Sequence, residues 1–144
     1  MALKVELKPH ERVIIGKALI RNGDARSRLF IEGAAPILRE KDILTAQTAD
    51  TPARRIYLAT QLMYLDGETD SHHNVYFDLV REFLQAAPSA LPIIAEINSR
   101  ILAGDLYKAL RSARQLVAYE QELLARVTES GAKPSAGTSS SEAA

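Results

Sequence analysis

Apolar and polar residues alternate along the first forty residues with the period of half-buried β-strands. Leu3, Val5 and Leu7 alternate with Lys4, Glu6 and Lys8, and Pro9 ends the run. Arg12–Ile15 is a short β-rich stretch closed by Gly16, and Lys17–Arg21 alternates again. Asn22-Gly23-Asp24 reads as a hairpin turn, because Asn-Gly readily supplies positive φ. It would join Lys17–Arg21 to a returning strand, Arg26–Ile31. Gly33 opens another turn, Pro36–Arg39 is a candidate short strand, and Lys41–Leu44 closes the unit.

From Thr51 the period becomes helical. Thr51 followed by Pro52 is an N-cap with proline at the first helical position, opening a helix to about Leu65. A second helix over about Asn74–Ala87 is stopped by Pro88. Ser89 is the expected cap of a third, which carries Ile93, Ile94, Ile97 and Ile101. After Gly104-Asp105 an amphipathic stripe from Leu106 to Val127 predicts a long fourth helix ending near Thr128. The expected architecture is α+β: a small N-terminal antiparallel β-unit, then a C-terminal unit of about four helices. The units are expected at 1–48 and 51–128, with a disordered tail over 129–144 that is rich in Ser, Ala and Gly. A β-unit of that size is marginal alone, so it needs the helices or a second copy to cover it. A homodimer is therefore expected.

Composition adds little to this fold but narrows the chemistry. The chain has 144 residues, 47% of them hydrophobic and 25% charged, as in ordinary folded proteins. Cysteine is absent, which excludes disulfides, thiolate metal sites and a cysteine nucleophile. The N-terminus lacks the apolar run of a signal peptide and no segment reaches membrane-spanning length, so a cytoplasmic location is expected. The net charge of zero conceals an asymmetry. Residues 1–66 hold eleven Lys/Arg against eight Asp/Glu, and residues 67–144 hold seven against ten.

Candidate catalytic groups do not assemble into a pattern, and no enzyme activity is expected. Glycine-rich phosphate loops are missing, and no carboxylate pair is assigned by spacing. His72 and His73, with Glu68 and Asp70 nearby, read either as a metal pair or as a helix start. Adjacent residues do not face each other on a helix, so no metal or cofactor is expected. Polyanion binding has a stronger basis. Lys17, Arg21, Arg26 and Arg28 lie on strands expected to pair, and Arg39 ends the last short strand. Their guanidinium and ammonium groups suit phosphates, and arginine also stacks on bases. The alternative is a merely solvated sheet face. The five tyrosines read as half-buried packing residues.

Longer phrases carry a resemblance. Ala2–Pro9, Glu11–Gly16, Arg28–Gly33, Pro36–Leu44, Arg55–Ala59 and Gln61–Leu65 resemble, in the same order, the FlbT family of flagellar regulators. The likeness covers roughly residues 1–125. It implies a post-transcriptional regulator acting on the 5′ untranslated region of flagellin messenger RNA, altering its translation and stability without being a nuclease. The rival expectation is a protein-interaction adaptor or chaperone in flagellar assembly, whose helical unit docks a flagellar regulatory protein.

The β-unit also resembles the carbon-storage-regulator proteins, through Glu11–Gly16, Ala35-Pro36 and Leu38–Ile43. That likeness implies β-sheet RNA binding and dimerisation. Residue by residue, it implies RNA contact at Arg39, with Leu3, Lys4 and Val5 as the first-strand candidates. Leu38 stands where those proteins often have histidine.

Overall fold

A computed structural model describes residues 2–131, with side chains described through Val127. Five strands, β1 (Ala2–Leu7), β2 (Arg12–Ile15), β3 (Ala18–Arg21), β4 (Ser27–Glu32) and β5 (Ile37–Arg39), precede four helices. These are α1 (Pro52–Asp66), α2 (His73–Ala86), α3 (Leu91–Leu102) and α4 (Leu106–Gly131). The fold is α+β, in the order expected. α4 continues three residues into the stretch expected to be tail, and the remainder of that stretch lies outside the described residues.

The strands form two small antiparallel sheets. One contains β1 and β4; the other has the order β3-β2-β5. Alternation in β1 sets the first ladder: Val5 faces Leu29 and Leu3 faces Ile31, so one side of both strands is apolar. In the second sheet β2 and β3 are joined through Gly16-Lys17, with Gly16 at φ 64°. A glycine with positive φ at the first central position suits a two-residue hairpin loop.

This pairing corrects the expected hairpin at Asn22-Gly23. β3 and β4 belong to different sheets, and the positive φ falls at His10 (64°), not at Gly23. Asn22 acts instead through its side chain. Its Nδ2 donates to the carbonyls of Lys8 (2.7 Å) and Ala25 (2.9 Å), and its Oδ1 accepts from Ser27 Oγ (2.8 Å). The amide clasps the crossing between sheets, where a tight turn would have kept the chain in one.

Two apolar clusters lie under these elements. Val5, Leu7 and Val13 are the buried centre of the β-unit, flanked by Ile20, Leu29, Ile31 and Ile37. The larger core joins all four helices through Ile56, Met63, Tyr76, Ile94, Ile97, Leu110 and Leu116, and it also takes in Leu38 of β5. Side chains of α1 serve as backbone partners across the seam. Tyr64 Oη accepts from Ile37 N–H (2.9 Å) and donates to Ile37 C=O (3.0 Å). Gln61 does the same for Leu44, at 2.9 Å in each direction. Backbone groups that would otherwise be buried without partners are thus satisfied, and β5 is fixed against the helices.

Helix ends follow the local chemistry in part. Thr51 Oγ1 accepts from Arg54 N–H at 3.2 Å and opens α1, and Gly67 at φ 75° closes it. Ser89 does not cap α3, which is preceded by a 3-10 turn over Pro88–Ala90; its hydroxyl pairs with Tyr119 Oη at 2.5 Å. Among the described residues, no helix is long and apolar enough to cross a membrane.

Candidate nucleic-acid interface

Docking β5 on α1 opens a cleft of about 660 Å³ between the β-unit and the start of α4. From β1 it is lined by Leu3, Lys4 and Val5; from β5 and the turn after it come Arg39, Lys41 and Asp42. Arg111 and Arg114 of α4 complete the charged wall, and Tyr64 and Tyr107 contribute aromatic rings. Five cations line the cleft with one carboxylate, Asp42. Glu6 and Glu11 lie 3.6 Å from Lys4 and Arg39, so the cleft is basic chiefly at Lys41 and Arg111 in a chain of zero net charge.

The five cations are not equally available. Arg114 Nη2 is 2.6 Å from Asp42 Oδ1, and Lys4 Nζ is 3.6 Å from Glu6 Oε2 at the surface. Arg39 Nη2 donates to Glu6 C=O at 2.6 Å and lies 3.6 Å from Glu11 Oε2, tying β5 to β1. Its Nε is out of solvent without a hydrogen-bond partner among the described residues. Lys41 and Arg111 make no ion pair or side-chain hydrogen bond among the described residues. Tyr107, 49% exposed, sits 5.6 Å from Tyr64 between ring centroids, so a face or edge remains open to the cleft.

Of the eight residues singled out from sequence, Leu3, Lys4, Val5 and Arg39 meet here. Lys17, Arg21 and Arg26 are not brought together with them, and Arg28 meets only Lys4, outside the cleft lining. Lys17 occupies the β2–β3 turn and borders a neighbouring depression that shares Tyr64 and Tyr107 with the cleft. Arg21 lies opposite Arg12 across β2–β3, and Arg26 is exposed just before β4. Arg28 lies opposite Glu6, with Nε 4.0 Å from the carboxylate that Lys4 also approaches. Arg28 and Lys4 therefore share the outer face of β1–β4, beside Phe30, which is 63% exposed.

Lys41, Arg111, Arg114 and Tyr107 were absent from the sequence-derived set. The signal that could have found Arg111 and Arg114 is their spacing of three, which places both on one side of a helix. Neither residue lies on the apolar stripe.

The histidines stand at a helix start, His72 as the residue before α2 and His73 as its first residue. Asp66, Glu68 and His72 bring potential ligand atoms within 4.8 Å of one another, and His72 Nε2 is 2.6 Å from Asp66 Oδ2. Hydrogen bonds from the hydroxyl and then the N–H of Ser71 hold Glu68 below the ordinary carboxylate range. His73 turns away and packs edge-on against Phe77, 4.6 Å between centroids.

A family model described as "Flagellar protein FlbT" matches residues 3–124, a span that includes every cleft residue. The chain is 58% identical over 124 residues to a probable flagellum biosynthesis repressor protein FlbT 1 of Bradyrhizobium diazoefficiens, covering 85% of each. It is 50% identical over 126 residues to a probable flagellum biosynthesis repressor protein FlbT of Rhodopseudomonas palustris, covering 88% of this chain and all of the relative. A flagellum biosynthesis repressor protein FlbT of Caulobacter vibrioides is 36% identical over 131 residues, covering 89% and 93%. No solved structure matches the chain.

Proposed function

Because the chain belongs to the FlbT family of flagellar proteins, we propose that it regulates flagellin synthesis after transcription, by binding the 5′ untranslated region of flagellin messenger RNA. The observation that carries this reading is the basic cleft, where five cations from β1, β5, the following turn and α4 surround an exposed tyrosine. Single-stranded RNA offers what such a cleft takes: phosphates for Lys and Arg, and base faces for an aromatic ring. Occupancy of the leader would limit ribosome access and change transcript lifetime, with no covalent step by the protein. Such a regulator works in the cytoplasm. A second copy covering the thinly packed β-unit belongs to the same reading.

The test is a binding titration of the full chain against a flagellin leader and a scrambled control of equal length, at two salt concentrations. The leader should bind more tightly than the control. Each phosphate neutralised on a single strand contributes about −0.7 to the slope of log affinity against log salt, so four or five contacts give roughly −3. Equal affinity for both RNAs, or no salt dependence, would sink the proposal. Arg39→Ala should weaken leader binding while the protein stays folded. It should also cost about 1 kcal/mol in urea titrations, because the Glu6 carbonyl loses a donor. Unchanged leader affinity in this variant would remove Arg39 from the interface.

One observation favours the adaptor reading for the other side of the molecule. The start of α1, the end of α2 and the far half of α4 frame a largely apolar groove of about 230 Å³, with Leu79, Phe83, Ala87 and Leu123 among its walls. A flagellar protein partner docking there would leave the basic cleft free.

A further inference from the structure

A second pocket of about 220 Å³ adjoins the basic cleft, with Lys41, Asp42 and Arg114 lining both. Its floor is apolar and firmly held: Tyr57 is 4% exposed, and Leu44 and Val117 are half-buried. Tyr57 Oη donates to the Asp42 carbonyl at 2.6 Å, which fixes the pocket mouth to α1. Arg54, held by Asp50 at 2.7 Å, adds another guanidinium to the lining.

We propose that this pocket receives one unstacked nucleobase of the RNA strand whose phosphates lie in the cleft. The inference rests on the functional reading above and names what a part of that site selects. Charge places the two parts of a nucleotide differently. The cleft, with five cations, suits phosphate, whereas the pocket floor of Leu44, Tyr57 and Val117 suits a flat uncharged ring. Lys41, Asp42 and Arg114 border both, so a strand in the cleft lies beside the pocket mouth. The Asp42 carboxylate at the mouth, whose Oδ1 pairs with Arg114 at 2.6 Å, is an acceptor, so it favours a base whose pairing edge carries an exocyclic amino group. Uracil offers one N–H flanked by two carbonyl oxygens, which a carboxylate repels. Phosphate contacts alone would grip any sequence; a pocket of this kind adds discrimination at one position.

The experiment is an abasic series through the flagellin leader, titrated against the full wild-type chain and against Val117→Phe, which fills the pocket from α4. In wild type, removing one particular base should weaken binding roughly tenfold while its neighbours matter little. Uracil at that position should weaken binding comparably. Val117→Phe should bind the intact leader about tenfold more weakly and no longer distinguish it from the abasic RNA, with the salt slope unchanged. Leu44→Phe, which fills the pocket from the opposite wall, should behave the same way and serves if Val117→Phe does not fold. A flat abasic series in wild type overturns the pocket while leaving the leader-binding reading intact. So does a folded filled-pocket variant that keeps both full affinity and the abasic penalty. Failure of wild type to bind any leader overturns both.

Discussion

Reversing Lys41 and Arg111 together to glutamate should weaken binding to a flagellin leader by at least about a hundredfold at roughly 50 mM salt. The two residues are chosen because the fold asks nothing of them: both are exposed and neither has an ionic partner among the described residues. The cleft would change from five cations against one carboxylate to three against three. Two phosphate contacts would be lost and two repulsions added on the path of the strand. The salt slope should fall by about 1.4 from contact loss alone. Stability should move by no more than about 0.5 kcal/mol, as for surface changes away from packed features. A leader titration and a urea melt on the same preparation separate the two effects. Leader affinity within threefold of wild type would place the RNA somewhere other than this cleft.

Those two residues also mark where the sequence stopped being informative. The strand and helix periods were readable because they are local: Val5 and Leu7 alternate, and Thr51-Pro52 begins a helix, as caps and proline dictate. Pairing was not local. Asn22-Gly23 has the composition of a hairpin turn, yet the Asn22 side chain spends its hydrogen bonds on Lys8, Ala25 and Ser27 and directs the chain to another sheet. A hairpin there groups Lys17, Arg21, Arg26 and Arg28 on one sheet; β3 and β4 lie in different sheets, which separates the first two from the last two. The resemblance names Arg39 and the first strand, and these residues line one cleft. It could not point to Arg111 or Arg114, because the resemblance to carbon-storage regulators ends before the helices. Nor could it reveal that Tyr64 and Gln61 act as backbone partners for β5 and the segment after it. That docking makes the cleft, and it is a property of the seam between elements rather than of any one of them.

The same packing predicts a loss of stability above pH 10. Tyr76 is fully buried, with its hydroxyl donating to Asn98 Oδ1 at 2.6 Å, and burial raises its pKa well beyond the ordinary tyrosine value. Burial also pushes Tyr57 and Tyr64 upward. Below about pH 10, a tyrosine is protonated in both folded and unfolded chains and contributes no pH dependence. Above it, the unfolded chain releases the proton while the folded chain keeps it. The unfolded state then binds fewer protons, so unfolding free energy falls with pH, by about 1.4 kcal/mol per unit for each tyrosine that stays neutral. For Tyr76 alone, roughly 2–3 kcal/mol should be gone by about pH 12, a large part of a typical domain's stability. With no cysteine in the chain, thiol ionisation cannot contribute to the slope. Tyr76→Phe should be less stable than wild type at pH 8 by about 1 kcal/mol, because Asn98 loses its donor. It should nevertheless decline less steeply above pH 10, so the two stability curves converge or cross as pH rises. Urea midpoints measured in steps from pH 8 to pH 12 make the comparison. Parallel decline of the two proteins would show that Tyr76 ionises in the folded state as freely as in the unfolded one.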